Sequence, residues 1–528
     1  MQFTSLPPEL LASILLELDL RSLVRCRRVC ILLKDIIDQD VRVQYQIELA
    51  AAGMEDGPPS TLTAADRLRM LKARQEAWDR LAWTSREEVA MARGGVWELY
   101  GGVLAQAEGT RTLVFKQLPS ATRGIEGREW RIEDVGVDIR DFGMDPSQDL
   151  LVIMENRREQ LADRTGMSCS VHLKSLTTGQ PHPAAPRPAL VAHVPQRGHY
   201  TYAIQVSESY VGILMTNHDG DHAELLIWNW KTGQRHLHLT GSDLASFSFL
   251  TSRHVLLASL PTMELDENNV FHGDDPRLLI IDLERTSGEH EIDFNDLDYL
   301  CAFHYPAIAD SFATVAMSIR SDPAPNWTPS PDLQVPFHIA RQDRLFVITL
   351  GVIQGNLHAL PLISLVPSST FLACIDSIAP EETGRVFEWS EWGPKGSRLV
   401  PGPPTHTSVW VCYVYGMTFA MSMRQGSQRA IVTFDFNPLA VRRAQAQEQE
   451  MSGSEGDRNS IIIDDDRIFR PENIFKEEVR TALPHLIRKT SPFGAEGEGH
   501  FDAVMISEDS LVMVSSQSHI RKYRILTF

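Results

Sequence analysis

The sequence predicts a multidomain chain of the α + all-β class, with a small helical module first and a large β domain after it. Up to about residue 92, apolar residues recur at helical spacing. From about residue 94, short β-branched or aromatic stretches alternate with Gly, Pro, Asp and Asn turns. No long helical pattern separates these stretches, which argues against a parallel α/β sheet.

The helical part is predicted to contain three runs. The first begins after Pro7 and Pro8, which suit a helix N-terminus, and has the apolar row Leu10, Ile14 and Leu18. The second follows a break at residues 19–22 and has the apolar positions Leu23, Cys26, Val29, Leu33, Ile36 and Ile37. The third covers residues 63–83, capped by Thr63 or Asp66, after the turn-rich sequence GMEDGPPS at 53–60.

The β part carries a weak internal repeat. The sequences VHLKSLTTGQ (171–180), LLIWNWKTGQ (225–234) and LLIIDLERTSGE (278–289) each run from a strand into a Thr-Gly or Ser-Gly turn. A further strand precedes each of them, such as LLVIM at 150–154 or YVGILM at 210–215. The pattern resembles divergent WD-type blades and predicts a β-propeller-like domain.

The length of the β part suits about seven blades of about 45 residues each. Three stretches are not counted in these blades, and we predict them to be inserts: 320–342, 378–408 and 438–500. We expect the final strand, 521–528, to close the ring against residues 96–103, because ring closure hides strand edges that otherwise invite aggregation. Within the last insert, residues 444–460 have the composition of a solvated loop, and the alternative is a regulatory segment phosphorylated at Ser452, Ser454 or Ser460.

The segment LPPELLASILLELDLRSLVRCRRVCILLKDIIDQD (6–40) resembles the F-box family. Leu6, Pro7, Glu9 and Leu10 form the opening of the motif, and Ile14, Leu18, the Asp19–Leu20 turn, Leu23 and the Val29–Cys30 pair follow in the family's order. Leu33 stands where many members carry Trp or another aromatic residue. The next segment, 43–83, looks like the helical continuation found in F-box proteins of mushroom-forming fungi.

The resemblance implies an F-box at residues 1–50, a helical linker at 51–94 and a substrate-recognition β-propeller at 95–528. It also implies that the F-box binds the Skp adaptor of a cullin–RING ubiquitin ligase. The candidate adaptor contacts are Leu6, Pro7, Glu9, Leu10, Ile14, Leu18, Leu23, Val29, Cys30 and Leu33. A module of this size has more apolar positions than its own core can hide, which independently predicts an exposed docking patch.

The resemblance thus implies a non-catalytic substrate receptor of an SCF-type (Skp–cullin–F-box) ubiquitin ligase. The β domain would then hold a target protein that the sequence does not identify. The departure from the motif at Leu33 motivates an alternative, a β-propeller interaction scaffold that is not coupled to ubiquitylation.

Charge and cysteine usage exclude several other classes. The 528-residue chain has a formal charge of −19, which opposes binding to nucleic acid or to anionic lipid. Its six cysteines have neither disulfide-framework nor zinc spacing, so we predict no metal and no cofactor. No apolar run reaches the ~18–20 residues of a membrane span, and acidic residues flank the first apolar segment, so we expect a cytoplasmic or nuclear protein.

Three further motifs each have two interpretations. NHDGDH (217–222) and HGDD (272–275) are either hairpin turns, which we favour, or metal sites. Trp389 and Trp392 are either packing residues, which we favour, or a recognition patch. PHPAAPRP (181–188) is either a stiff crossing between blades, which we favour, or a peptide ligand for an aromatic groove.

Overall fold

The computed structural model describes residues 6–528 except 92–94, 162–163, 195–199, 218–221, 268–270, 287, 289, 355–358, 404–411, 427, 451–459, 470–472, 494–500 and 516–521. Its helices are Pro8–Leu16 (α1), Leu20–Cys26 (α2), Ile31–Gln39 (α3), Val41–Ala52 (α4), Ala64–Arg80 (α5), Ser368–Asp376 (α6), Trp389–Gly396 (α7) and Pro438–Glu450 (α8). Within the described residues, no helix has the length and apolar character that crossing a membrane requires.

The strands, in chain order, are Met54–Asp56 (β1), Ser85–Ala90 (β2), Trp97–Tyr100 (β3), Val103–Glu108 (β4), Thr112–Gln117 (β5), Arg128–Ile132 (β6), Asp141–Asp145 (β7), Leu150–Leu161 (β8), Arg164–Ser175 (β9), Ala189–Val194 (β10), Tyr200–Ser207 (β11), Tyr210–Asn217 (β12), Ala223–Asn229 (β13), Gln234–Gly241 (β14), Leu244–Phe249 (β15), His254–Ser259 (β16), Glu264–Leu265 (β17), Phe271–His272 (β18), Arg277–Asp282 (β19), Ile292–Asp293 (β20), Cys301–His304 (β21), Phe312–Arg320 (β22), Phe337–Ile339 (β23), Leu345–Gln354 (β24), Leu360–Pro367 (β25), Arg385–Phe387 (β26), Arg398–Pro401 (β27), Val414–Tyr415 (β28), Thr418–Gln425 (β29), Gln428–Asp435 (β30), Ser460–Ile463 (β31), Arg467–Phe469 (β32), Val479–Thr481 (β33), His485–Lys489 (β34), Ala503–Ile506 (β35), Ser510–Ser515 (β36) and Lys522–Thr527 (β37).

Seven sheets of four or five strands form a β-propeller. From the inner strand outwards, blades 1 to 7 are β3–β4–β5–β6, β7–β8–β9–β10, β11–β12–β13–β14–β20, β15–β16–β19–β21–β26, β22–β24–β25–β27, β28–β29–β30–β34–β31 and β35–β36–β37–β2. We call the first four strands of each blade a to d. The prediction of a helical module followed by a propeller of about seven blades is therefore confirmed.

The apolar core lies between neighbouring blades. Trp228 of blade 3, for example, packs in one cluster with Val152 and Val171 of blade 2. Because both faces of a blade are covered, its middle strands read as continuous apolar runs rather than as alternating ones. Strand β13 shows this, since six of its seven residues are buried.

The ring is closed by β2, which supplies the outer strand of blade 7. It pairs with β37 from Ser85↔Thr527 to Ala90↔Lys522. This finding corrects the expectation that the last strand pairs with residues 96–103, because residues 97–100 form the inner strand of blade 1. The propeller thus takes in a strand that precedes the predicted boundary at residue 95 and lies within the predicted linker.

The predicted inserts also contribute to the ring. The segments 378–408 and 438–500 contain β27 and β34, which are the d strands of blades 5 and 6. The segment 320–342 contains the short strand β23, which pairs with β1 of the helical part.

The connections between strands divide the propeller into two sides. Because consecutive strands run antiparallel, all a–b and c–d connections begin and end on one side, and all b–c and d–a connections begin and end on the other. The helical part contacts the first side, for example where Asn437 Nδ2, in the c–d connection of blade 6, donates a 3.0 Å hydrogen bond to Ala51 O. We call this side the helix side and the opposite one the free side.

Local signals explain where the N-terminal helices begin. Asp19 caps α2, and its carboxylate accepts a 2.8 Å hydrogen bond from Ser22 N, which lowers the pKa of Asp19. Thr63 caps α5 in a capping box with Asp66, as the sequence predicts. Helix α4 ends at Gly53, whose φ of +65° is a left-handed conformation that glycine adopts without strain.

Candidate functional site

The helical module exposes large apolar side chains. Seven of the eleven exposed large hydrophobic residues in the described part of the chain belong to its first 52 residues: Leu10, Ile14, Val24, Val29, Ile31, Leu32 and Val41. The most open are Val29 and Ile31, which are 71% and 78% exposed. Apolar surface concentrated in this way marks a site where another protein binds.

Helix α1 presents two apolar rows to different surroundings. Leu11 and Leu15 are buried in the core of the module, whereas Leu10 and Ile14 are 52% and 41% exposed. Residues four apart share one face of a helix, so each pair forms a row. The outer row is therefore free to contact a partner while the inner row holds the module together.

The ten predicted adaptor contacts fall into three groups. Pro7, Glu9, Leu10, Ile14 and Val29 are exposed, whereas Leu6, Leu18 and Cys30 are half-buried. Leu23 and Leu33 are buried, at 0% and 5% exposure, in the core that α1, α2 and α3 share. These two side chains have almost no surface that a partner could contact, and they instead pack the helices together.

The list of adaptor contacts predicted from the sequence omits four exposed apolar residues: Val24, Ile31, Leu32 and Val41. Ile31 and Leu32 open α3 directly beside the Val29–Cys30 pair, and they extend the exposed surface from α1 to α3. Their apolar character was a usable signal, but the motif that guided the choice of residues passes over them.

A paired strand and two side chains fasten the helical part to the propeller. Strand β1 pairs with β23 from Met54↔Ile339 to Asp56↔Phe337. Tyr45 Oη donates to Pro336 O at 3.0 Å, and Arg67 Nη1 donates to the same carbonyl at 2.9 Å. Backbone pairing and side-chain hydrogen bonds thus act on one short segment of blade 5.

A buried cluster of four charged residues forms the second attachment. Arg74 of α5 binds Asp509 at 2.9 Å, and Arg123 of blade 1 binds Asp509 at 2.5 Å and Glu508 at 2.9 Å. None of these side chains is more than 11% exposed. Burial acts to raise the pKa of Asp509, but the charges of Arg123 and Arg74 act more strongly and hold this pKa below its ordinary value.

A cavity of about 430 Å³ occupies the centre of the ring. Residues from the a strands of blades 1 to 5 line it, including Trp97, Phe142 and Ile204. Its charged lining residues are Glu98, Asp141, Arg320, Asp322 and Arg344.

The segment that follows β22 closes this cavity on the helix side. It leaves blade 5 and reaches blades on the opposite part of the ring, where Ala324 N donates to Tyr100 Oη at 2.9 Å and Trp327 Nε1 donates to Asp145 Oδ1 at 3.1 Å. Arg344, which is 2% exposed, holds the start of this segment by donating to Pro323 O at 3.3 Å.

The cavity disfavours negative charge. Burial raises the pKa of Glu98 to about 8, and the charges of Asp322 and Asp141 add to this shift. Burial also raises the pKa of Asp322 to about 7, although Arg320 and Arg344 oppose it, and raises that of Asp141 to about 6. These carboxyl groups thus change their protonation in the neutral range.

We expect Glu98→Gln to flatten the pH dependence of stability. A Glu in the unfolded chain has a pKa of about 4.3, whereas the pKa of Glu98 in the folded chain is about 8. Between these two values the folded state binds one more proton than the unfolded state, so stability falls as the pH rises. Relative to the variant, wild type should lose thermal stability between pH about 5 and about 8, measured as the apparent Tm by scanning fluorimetry. Glu126→Gln, at an exposed carboxylate, is the control, and parallel curves for wild type and Glu98→Gln would contradict the assignment.

The remaining sequence candidates have structural roles where they are described. Of NHDGDH, residues 218–221 lie outside the described residues, and HGDD begins at the end of the β17–β18 hairpin, where His272 Nε2 lies 3.2 Å from Asp266. Trp392 is 2% exposed and packs edge-on against Phe303. Across the described ranges, no group of three or more His, Cys, Asp or Glu side chains is arranged to hold a metal ion.

The proline-rich stretch 181–188 connects β9 to β10 within blade 2. His182 packs edge-on against Trp230 of blade 3, with ring centroids 4.9 Å apart. Its Nε2 also lies 3.0 Å from Gln148 O. The expected crossing between blades is therefore wrong, because the stretch connects two strands of one blade and only packs against the next blade. Of the proposed phosphorylation sites, Ser452 and Ser454 lie outside the described residues, and Ser460 begins β31.

A helical module with an exposed apolar surface is fastened to one side of a seven-blade propeller, which is an architecture typical of adaptor proteins. Residues 3–46 match the F-box-like family model. The chain thus carries an F-box-like domain followed by a β-propeller, which is a typical architecture of non-catalytic adaptors. F-box domains in general bind the Skp adaptor, and this combination supports the general role of a substrate receptor.

Solved structures add little to this assignment. The WD40 domain of SCAP from fission yeast is 9% identical with a TM-score of 0.33, and the alignment covers 90% of this chain and 98% of that one. Drosophila Semaphorin 2a is 8% identical with a TM-score of 0.32, covering 84% and 74%. TM-scores this low do not establish a shared fold, and the propeller is instead assigned from the strand pairing within the seven sheets. No curated protein sequence matches this one.

Proposed function

We propose that this protein is the substrate-receptor subunit of an SCF-type ubiquitin ligase. The observation that carries the proposal is the exposed apolar surface on α1 to α3 within the F-box-like domain. In this role the surface binds the Skp adaptor, which connects the chain to the cullin–RING core in the cytoplasm or nucleus. The ten residues named from the sequence form or support that contact.

The propeller would hold the target protein on its free side. The helical part occupies the helix side near blades 5, 6 and 7, and a segment of blade 5 closes the central cavity there. The chain itself performs no covalent step in this scheme. It raises the effective concentration of target lysines near the ubiquitin-charged enzyme, which is how tethering accelerates a transfer.

The firm attachment of the F-box-like domain supports this role. The pairing of β1 with β23 and the Arg74–Asp509 ion pair restrict the module to one orientation on the propeller. A target bound to the propeller would then lie at a constant distance from the adaptor. The geometry thus favours repeated transfer to the same region of a target.

The double substitution Leu10→Asp, Ile14→Asp tests the proposal. Buried apolar anchors at a protein interface are worth about 2 kcal/mol or more each, so the double variant should bind the Skp adaptor on the order of 100-fold or more weakly. Both side chains are exposed, so the apparent Tm should stay near that of wild type. The measurement is adaptor retention on the purified full chain.

Ile461→Asp is the matched control, because Ile461 is 59% exposed on the propeller and lies outside the module. Equal adaptor binding by wild type and the double variant would refute the proposed docking surface. Adaptor binding by wild type with no change in ubiquitylation of co-purified proteins would instead favour the uncoupled propeller scaffold.

A further inference from the structure

Lysine is scarce in this chain. Of its 50 basic residues, 9 are lysine and 41 are arginine, although lysine is among the commonest residues of globular proteins. All nine lysines belong to the described residues: Lys34, Lys72, Lys116, Lys174, Lys231, Lys395, Lys476, Lys489 and Lys522. The sequence retains positive charge while largely avoiding the primary amine.

Six of the nine lysines lie on the helix side or in the helical part. Lys34 and Lys72 belong to α3 and α5, and Lys231 and Lys395 lie in c–d connections. Lys116 pairs with Leu104, and Lys174 pairs with Leu151, near the helix-side starts of two b strands. These amines are remote from the side on which a target would lie.

Only two of the described lysines lie on the free side, and both are in ion pairs. Lys476 lies in the long c–d connection of blade 6, which reaches across to the free side, where Lys476 Nζ lies 2.7 Å from Asp310 in the d–a connection between blades 4 and 5. Lys522 Nζ lies 2.8 Å from Glu88 in the outer strand of blade 7. Lys489 lies midway along its blade, opposite Val432.

The chemistry of ubiquitin transfer gives this distribution a consequence. A neutral lysine amine attacks the carbonyl carbon of the thioester between the ubiquitin C-terminus and a cysteine of the conjugating enzyme. The N–C bond forms, the C–S bond breaks, sulfur leaves as thiolate, and the proton of the amine passes to solvent. An arginine guanidinium stays protonated and cannot take part, and an ion pair disfavours the neutral form of a lysine.

The structure points to a receptor that escapes modification by the ligase it serves, because its free side offers guanidinium groups in place of amines. This inference rests on the substrate-receptor function proposed above. A conjugating enzyme that reaches a target on the free side also reaches the receptor surface around it. With few reactive amines there, transfer goes to the target, and the receptor persists through successive targets.

The test places lysines on the free side without changing charge. Arg140 lies in a d–a connection, Arg424 is the second-last residue of a b strand at its free-side end, and both are exposed. The double variant Arg140→Lys, Arg424→Lys should acquire several-fold more ubiquitin than wild type in a ligase reconstituted with the full chain. Conjugates should map to positions 140 and 424 by mass spectrometry.

The matched control is Arg187→Lys, Arg285→Lys, at exposed arginines in c–d connections on the helix side. It should stay at the wild-type level of modification. Equal modification of the two variants would overturn the inference, and so would modification of both at the wild-type level. Either outcome is expected if the scarcity of lysine reflects only a bias of the coding sequence toward arginine.

Adaptor retention, measured on the same samples, separates this inference from the proposed function. A wild-type chain that fails to retain the adaptor overturns both. A chain that retains the adaptor, yet gains no conjugate at positions 140 and 424, overturns the inference alone.

Discussion

Asp509→Asn should destabilise the full chain by about 3–5 kcal/mol, the usual cost of leaving a buried ion pair without one partner. Asp509 is the carboxylate that Arg74 and Arg123 share, and all three side chains are buried. Removing its charge leaves two guanidinium groups with Glu508 as the remaining carboxylate of the cluster. The urea midpoint of unfolding measures the effect.

The same substitution should also loosen the helical part from the propeller, because Arg74 belongs to α5 and Asp509 belongs to blade 7. Limited proteolysis should then cut between the two parts faster than in wild type. Glu76→Gln serves as the control, since it breaks an exposed ion pair with Arg80 and exposed pairs contribute little. Unchanged urea midpoints in both variants would show that the cluster does not stabilise the attachment.

A chain that begins at residue 95 should fail to form a stable propeller. It lacks β2, so β37 becomes an open edge, and the apolar clusters that contain Tyr523, Ile525 and Leu526 lose Leu81 and Val89. Each large apolar side chain that becomes exposed costs roughly 1.5–3 kcal/mol, and an open edge strand promotes aggregation. Size-exclusion chromatography and the cooperativity of thermal unfolding measure the outcome.

A chain that begins at residue 41 is the appropriate comparison. It lacks α1 to α3 but keeps α4, the β1–β23 pairing, α5 and β2. We expect it to unfold cooperatively near the temperature of the full chain and to lose the Skp adaptor. If the chain that begins at residue 95 behaved equally well, closure through β2 would contribute little to the stability of the ring.

Local patterns account for what could be predicted of the fold. The helices around Leu11 and Leu15 follow from apolar spacing, the start of α5 follows from Thr63, and the blades follow from short apolar strands and their turns. Each of these signals spans only a few residues. Ring closure could not be predicted in the same way, because β2 reads SREEVA, is largely exposed, and pairs with residues more than 430 positions away.

The candidate site shows the same limit. The sequence marks the N-terminal segment as a docking module, yet both rows of α1 are apolar, and only packing separates exposed Leu10 from buried Leu11. The attachment of the module could not be predicted at all. Arg74, Arg123 and Asp509 come from distant parts of the chain, and a charged residue in a sequence is ordinarily expected to be solvated.

The two-sided arrangement of the propeller has a consequence for how such proteins diverge. The attachments of the helical part described here use a–b and c–d connections, whereas b–c and d–a connections make up the free side. Substitutions or insertions in free-side loops can therefore accumulate without altering the anchor. Proteins with the same helical part and the same propeller can in this way acquire different binding partners over evolutionary time. Grafting loops onto the free side would be a direct way to change the target of this protein.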